Sequence, residues 1–595
     1  MIKQFALNKL PKETIKNILF FIAIFILIIL RINMILDFPI YGYIDFIDDD
    51  QLQVHQAKSL VDGNWLGNYG YNTLLKGPVF PLFLALICIL KLPYIFSVTL
   101  AFILSCLFFI YSIKDIIKNK LALLIVFAFM IFNPIMFSAD FQRVYRNSLT
   151  PALAIALISF FNIVLISRND NKIFKYVFGI TLASIIFPFF YYIREDSMWL
   201  VPFILFYTTI IGVSIICQCL KNKKIKIINI IKEFLLILPL ITLVVFEQII
   251  GNINLSYYGG KVVNQSSFES LNNAIYAINR VKNVDGNTEV TNSREKIKYL
   301  YTISPSLNKI SENFEMSLDI IAGGIGNEIE DGMFLWGFLA GVSSSWYSTY
   351  EMQDELFKNI SLEINTAIEN GTVETQELIP VFKDTLNTKF SFKNFIIKFK
   401  ESMNAINDYN SLKLMDTYES KVNFSDFYET RMREFLEVTN NKILLKDNEL
   451  NWKMFGELVT TNQKDYIESM QPKIQMLNNI RDFYSGTSAI IKICGYISYV
   501  IMTMILVVEL FKNKSKEILN NWLISSGIIG SVVTLAAGVA YTNLVKIQLS
   551  HSFYLMSAYI LNNVFSIICI FTVITYIVKV CNGIKNNKLK EVKES

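Results

Sequence analysis

Apolar residues along this chain come in long unbroken blocks, not in the spaced stripes of a helix or strand that is half exposed to water. The blocks are 18–36, 94–113, 121–137, 149–166, 176–192, 198–220, 227–250, 489–511, 522–542 and 553–578. Each runs roughly 17 to 25 residues, the length a helix rising about 1.5 Å per residue needs to cross about 30 Å of hydrocarbon. The pattern therefore predicts ten membrane-spanning helices. An eleventh stretch, 77–92, is shorter and opens with Pro78 and Pro81, so length alone leaves its status open.

Charge settles it. Cytoplasmic loops collect Lys and Arg, most clearly in short loops beside spans. If 77–92 lies in or on the outer leaflet, the clusters at Lys3 to Lys16, Lys114 to Lys120, Arg168 to Lys175, Lys221 to Lys232 and Lys512 to Lys516 and the tail from Lys579 all fall on one side. If it crosses, the four clusters from Lys114 to Lys516 change sides while the N-terminal cluster stays. Ten spans with both termini cytoplasmic is the consistent solution for a protein of the cytoplasmic membrane. The formal charge of +5 is then a topology signal, and no nucleic acid partner is implied. The first span has no small-residue cleavage site and is expected to persist as an anchor.

This topology gives an all-α polytopic membrane protein: residues 1–250 form an N-terminal transmembrane module with a first outer loop at 37–93. Residues 251–487 form a large extracytoplasmic domain, and 488–595 the last spans and a cytoplasmic tail. The insertion is long enough for a core of its own. It reads as mainly helical, with helical spacing at 354–369, 392–405 and 466–484. None of the seven cysteines falls in it, so it folds without disulfides. Its Gly323-Gly324-x-Gly326 stretch, followed by Glu328, Glu330 and Asp331, reads as a loop, with an anion-binding nest as the sharper alternative. His55 and His551 are the only histidines, and no Cys/His spacing resembles a zinc site.

The chemistry concentrates in loops placed on the outer face. The first carries Asp45, then Asp48, Asp49 and Asp50, then Gly63-x-Trp65, then Lys76-Gly77-Pro78. Carboxylates this close to a bilayer are costly and suggest a site; the plain alternative is that Asp49 or Asp50 caps the helix that follows. Arg143, Tyr145 and Arg146 follow the third span, and Arg194, Glu195 and Asp196 the fifth, so three loops deliver acids and bases to one membrane level. Glu247 could join them, although an interfacial position also accounts for it.

At this point the first 200 residues or so resemble the GT-C glycosyltransferases that use polyprenyl-phosphate sugars, in particular bacterial members related to glycosyltransferase family 39 and the protein mannosyltransferases. The likeness rests on the acidic pair within Asp48 to Asp50, Gly63-x-Trp65, and Lys76-Gly77-Pro78 where relatives often have Lys-Pro-Pro. It implies a GT-C-like fold and transfer of a sugar from a lipid-linked donor to an extracytoplasmic acceptor (envelope glycopolymer, lipid or protein), with inversion. Asp49 would be the general base, with Asp48 and Asp50 as the alternative registers. Lys76, Arg143, Arg146 and Arg194 would bind the donor phosphate, and Glu195, Asp196, Trp65 and Tyr145 the substrates. No cofactor is implied, and a divalent metal stays open. Expected partners are the lipid-linked sugar, membrane lipid and the acceptor. The rival classes are a transporter or flippase, against which the scarcity of charge in mid-span argues, and a non-catalytic receptor, which would not need so many spans.

Overall fold

A computed structural model describes residues 12–44, 49–222, 226–379, 386–420, 428–445, 449–454, 457–462, 464–511 and 516–594. Asp45 and Asp48 lie outside the described residues. The chain is helical almost throughout. Among the described residues, nine helices are long and apolar enough to cross a membrane, as an all-α multi-pass membrane protein requires. Their residues are apolar on every face because lipid or another helix meets each face. Within the segment Arg146–Ser167, 89% of the apolar window is buried, so this helix is the centre of the bundle; Ile227–Tyr258, at 17%, lies on its periphery. Ser105, Ser159 and Ser184 return their hydroxyls to the carbonyl four residues back, so these three polar groups are satisfied within their own helices.

Two apolar stretches differ from the others. The helix Val79–Ile89 has 11 residues, about 16 Å of rise, too short to cross. The expected span 121–137 is not one helix. It is helical over Lys120–Ile131 and breaks before the 3₁₀ turn Pro134–Phe137. The cause is Asn133-Pro134: proline disfavours helical backbone in the residue before it, and the Asn133 side chain caps the new turn through the Ile135 N–H at 3.2 Å. The broken segment still runs alongside the first helix, Lys12–Ile35. Lys120 pairs with Glu13 at one end, and Met136 receives an Arg31 N–H at 2.6 Å near the other.

The insertion at 251–487 does not form one body. Its first half builds a separate core from the helices Glu269–Arg280, Arg294–Ile303, Ser311–Ile321, Asp331–Ser344 and Tyr350–Glu369, joined by Leu66, Leu74 and Leu75 of the first loop. Its second half belongs to the core of the helical bundle: Ile406, Tyr409, Met415, Phe435, Leu477 and Tyr484 are buried there. The Tyr409 hydroxyl accepts from Asn563 at 2.7 Å and Asn133 at 3.2 Å. Lys492 gives its ammonium to the Ile406 carbonyl at 3.0 Å. The boundary expected at 487 is crossed by one helix, Lys464–Phe511. A three-stranded antiparallel sheet, Ile443–Leu445, Glu449–Met454 and Glu457–Asn462, was not foreseen. The glycine stretch is a loop: the Gly326 N–H is already held by Asp319 at 3.0 Å, leaving no open nest.

Candidate functional site

Asp49 and Asp50 open the helix Asp50–Val61, and their side chains go opposite ways. Asp50 is completely buried. It accepts the Tyr43 N–H at 2.9 Å and a two-pronged bond from Arg143, Nε at 2.9 Å and Nη2 at 2.6 Å. Burial pushes its carboxyl up, against the pull of Arg143 and the Tyr43 N–H. Arg143 in turn is raised by the carboxylates, Asp50 foremost, against burial. Its guanidinium also lies 4.4 Å from the Tyr43 ring and 4.7 Å from the Tyr145 ring.

Asp49 sits at the cap position but makes no side-chain cap bond, so the capping alternative does not describe it. Its carboxylate, 42% exposed, is held by the buried Lys76 ammonium and by the Tyr145 hydroxyl at 3.2 Å, with Arg143 at 3.8 Å. Partial burial disfavours its charge, but Lys76 and then Arg143 and Arg146 outweigh this and hold its carboxyl below the ordinary value. Lys76 also faces the rings of Tyr145 and Trp336, each 5.6 Å away.

Two further pairs complete the group. Arg146 donates to Glu195 at 2.8 Å and to the Tyr145 hydroxyl at 3.3 Å. Arg194 holds Asp196 through two bonds of 2.7 Å and reaches Asn147 with its remaining nitrogen. Burial works against both charges of that pair. Each nevertheless favours the other's ionised form, Arg194 standing above its usual value and Asp196 below.

The structure thus brings Asp49, Asp50, Lys76, Arg143, Tyr145, Arg146, Arg194, Glu195 and Asp196 together. Trp65 is elsewhere: its indole N–H donates to Asn254 at 2.7 Å, in the packing of the first loop against the helix Leu238–Tyr258. Glu247 is on that same helix and lines a separate cleft. Sequence reading missed Tyr43, Asn147, Trp336, Phe553 and Tyr554. Phe553 lies between the cations, 5.7 Å from Arg143 and 5.8 Å from Arg194, and packs on Tyr145. An aromatic pair in the short connection between two spans was the available signal.

Gly77 is explained by contact. A Cβ there would lie 2.2 Å from the Tyr192 carbonyl oxygen, so any side chain drives the loop off the end of the helix Phe174–Ile193. Gly77→Ala is expected to lower the yield of folded protein and its melting temperature, read by size exclusion and thermal unfolding in detergent.

Four acids and four bases pair off here, so an arriving anion must displace a carboxylate. The carboxylates open to displacement are the partly exposed Asp49, Asp196 and Glu195, whereas Asp50 is fixed. Among the described residues, no three His, Cys, Asp or Glu side chains gather as ligands for a metal ion. No family model, curated protein or solved structure matches this chain.

Proposed function

We propose that this chain is a membrane glycosyltransferase of the GT-C kind. It moves a sugar from a polyprenyl-phosphate donor to an acceptor hydroxyl on the outer face of the cytoplasmic membrane. The observation that carries the reading is the half-exposed Asp49 carboxylate paired with a buried lysine, at the centre of arginine pairs that an anion can open. The donor phosphate draws Lys76 and Arg194 from Asp49 and Asp196. The acceptor oxygen then attacks the anomeric carbon, the bond from that carbon to the phosphate oxygen breaks with its electrons going to the lipid phosphate, and Asp49 takes the hydroxyl proton. Attack opposite the leaving group inverts the anomeric centre. Losing Lys76 to the phosphate removes the main influence that keeps Asp49 a weak base, so the base becomes effective when the donor is present. Arg143 and Arg146 stay in place and stabilise charge as it develops.

The test is donor consumption by the purified protein in lipid, supplied with polyprenyl-phosphate sugars and with envelope extracts as acceptor. Failure to release lipid phosphate from any such donor would overturn the reading. The acid limb of kcat/KM reports Asp49 in the free enzyme, and is expected below the ordinary aspartate value because, against burial, Lys76 favours the ionised form. Lys76→Gln removes the cation that lowers it while the effect of burial remains, so the limb moves up toward or beyond that value and donor KM rises. An unmoved limb would separate Asp49 from the chemistry.

The sidedness is tested separately. Cysteines at the exposed Asp62 and Lys91, either side of the short helix Val79–Ile89, are both expected to react with an impermeant reagent added outside. Reaction at one alone would mean that the stretch crosses.

A further inference from the structure

We infer that a polar cleft next to the site docks the acceptor, and that the acceptor is a saccharide, neutral or amine-bearing, and not a polyanion; this rests on the glycosyl-transfer reading above. The cleft, about 610 Å³, lies between the helix Leu238–Tyr258 and the helix Glu269–Arg280, and is lined by Glu247, Gln248, Lys261, Ser266, Glu269 and Asn273. Small-molecule pockets are mostly walled by apolar side chains with a few polar groups. Here amides, a hydroxyl and carboxylates dominate, a mixture of donors and acceptors that matches a ligand dense in hydroxyl groups. The first-turn position of Glu269 favours its helix by itself, but that accounts for none of the amides that share its cleft.

Charge narrows the ligand. Among the lining side chains two are carboxylates and one is an ammonium, Lys261, which already donates to Gln248 at 2.5 Å; Lys358 lies near Glu269 outside the lining and is paired with Asp354. The local field repels a chain of phosphates and attracts an amine. Position joins the cleft to the site. The Gln265 N–H, on its rim, donates to the Leu75 carbonyl at 3.0 Å, one residue before Lys76. Tyr192 has its carbonyl against Gly77 and its hydroxyl toward Glu247. The cleft therefore backs onto the turn that carries the lysine paired with Asp49, and in the proposed complex the attacking end of the acceptor lies across that turn.

Saturation-transfer NMR on the full chain in nanodiscs tests this with three probes: a neutral tetramer of N-acetylglucosamine, its de-acetylated amine form and a glycerol-phosphate oligomer. The two sugars are expected to bind and the polyanion not. Asn273→Arg and Ser266→Arg are at exposed positions, so they fold, and each fills the cleft and lowers affinity for the neutral tetramer by about 10-fold or more. Equal binding by both variants, tighter binding of the polyanion, or no binding of either sugar overturns the proposal. Absence of donor turnover in the parent chain would instead condemn the transfer reading and leave sugar binding in the cleft standing.

Discussion

Asp49→Asn is expected to slow sugar transfer by about 100-fold or more while the protein folds, inserts and still binds the donor. The substitution keeps the size of the side chain and its acceptance of the Tyr145 hydroxyl bond, and removes only charge and basicity. The helix Asp50–Val61 loses nothing, since Asp49 makes no cap bond to it. Loss of the Lys76 pair lowers stability by less than loss of a fully buried pair, because the Asp49 carboxylate is half exposed and the asparagine oxygen still accepts from the buried ammonium. The sign of the pH effect follows from the lowered carboxyl. The pair stabilises the fold above the unfolded-state value and ceases to as pH falls through the folded one, so the variant differs least from the parent in acid. Transfer at the parental rate would end the case for Asp49 as base. If Asp48→Asn were inactive in its place, the base would be Asp48.

The spans were legible because lipid leaves the chain no choice: every backbone group must be paired within the segment and every face must be apolar. The same signal hid the break at Asn133-Pro134, whose proline was readable but stood in an apolar block of spanning length. The insertion misled for a related reason. Its second half has the polarity of a soluble domain, yet Tyr409 is buried against Asn133 and Asn563, 276 and 154 positions from it along the chain, and no local pattern announces such pairings. At 487 the composition turns from polar to apolar without a helix breaker strong enough to end the helix, so a change of surroundings was read as a change of domain. In the site, the charged residues of three loops could be read from the sequence because charge near a membrane is rare. Which acid met which base could not, because the helix turn that sends Asp49 outward and Asp50 inward is fixed only once Tyr43 and Arg143 are in place.

Arg143→Met is expected to be the most destabilising single change in the site, by about 3 to 5 kcal/mol at neutral pH, the usual result of removing one member of a buried pair. Asp50 has no exposure to water, and without Arg143 its carboxylate keeps one backbone N–H from Tyr43. Burial already pushes this carboxyl up with Arg143 present; without it the folded protein takes up a proton that the unfolded chain at neutral pH does not. The stability of the variant therefore recovers as pH falls and worsens as pH rises: its deficit, like that of Asp49→Asn, is smallest in acid, but here because a raised carboxyl takes up a proton in the folded variant, not because a lowered one loses its pair in the parent. Asp50→Asn in the Arg143→Met background removes the stranded charge and is expected to restore part of the lost stability, a coupling visible in a double-mutant cycle of thermal unfolding in one detergent. Asp50→Asn alone costs less, because Arg143 keeps the faces of Tyr43 and Tyr145 and a carboxylate of Asp49 at 3.8 Å. If Arg143→Met melts within about 1 kcal/mol of the parent, or if its deficit is the same at pH 5 and pH 8, the Asp50–Arg143 pair is not what holds this loop, and the rigid support assumed for Asp49 has to come from elsewhere.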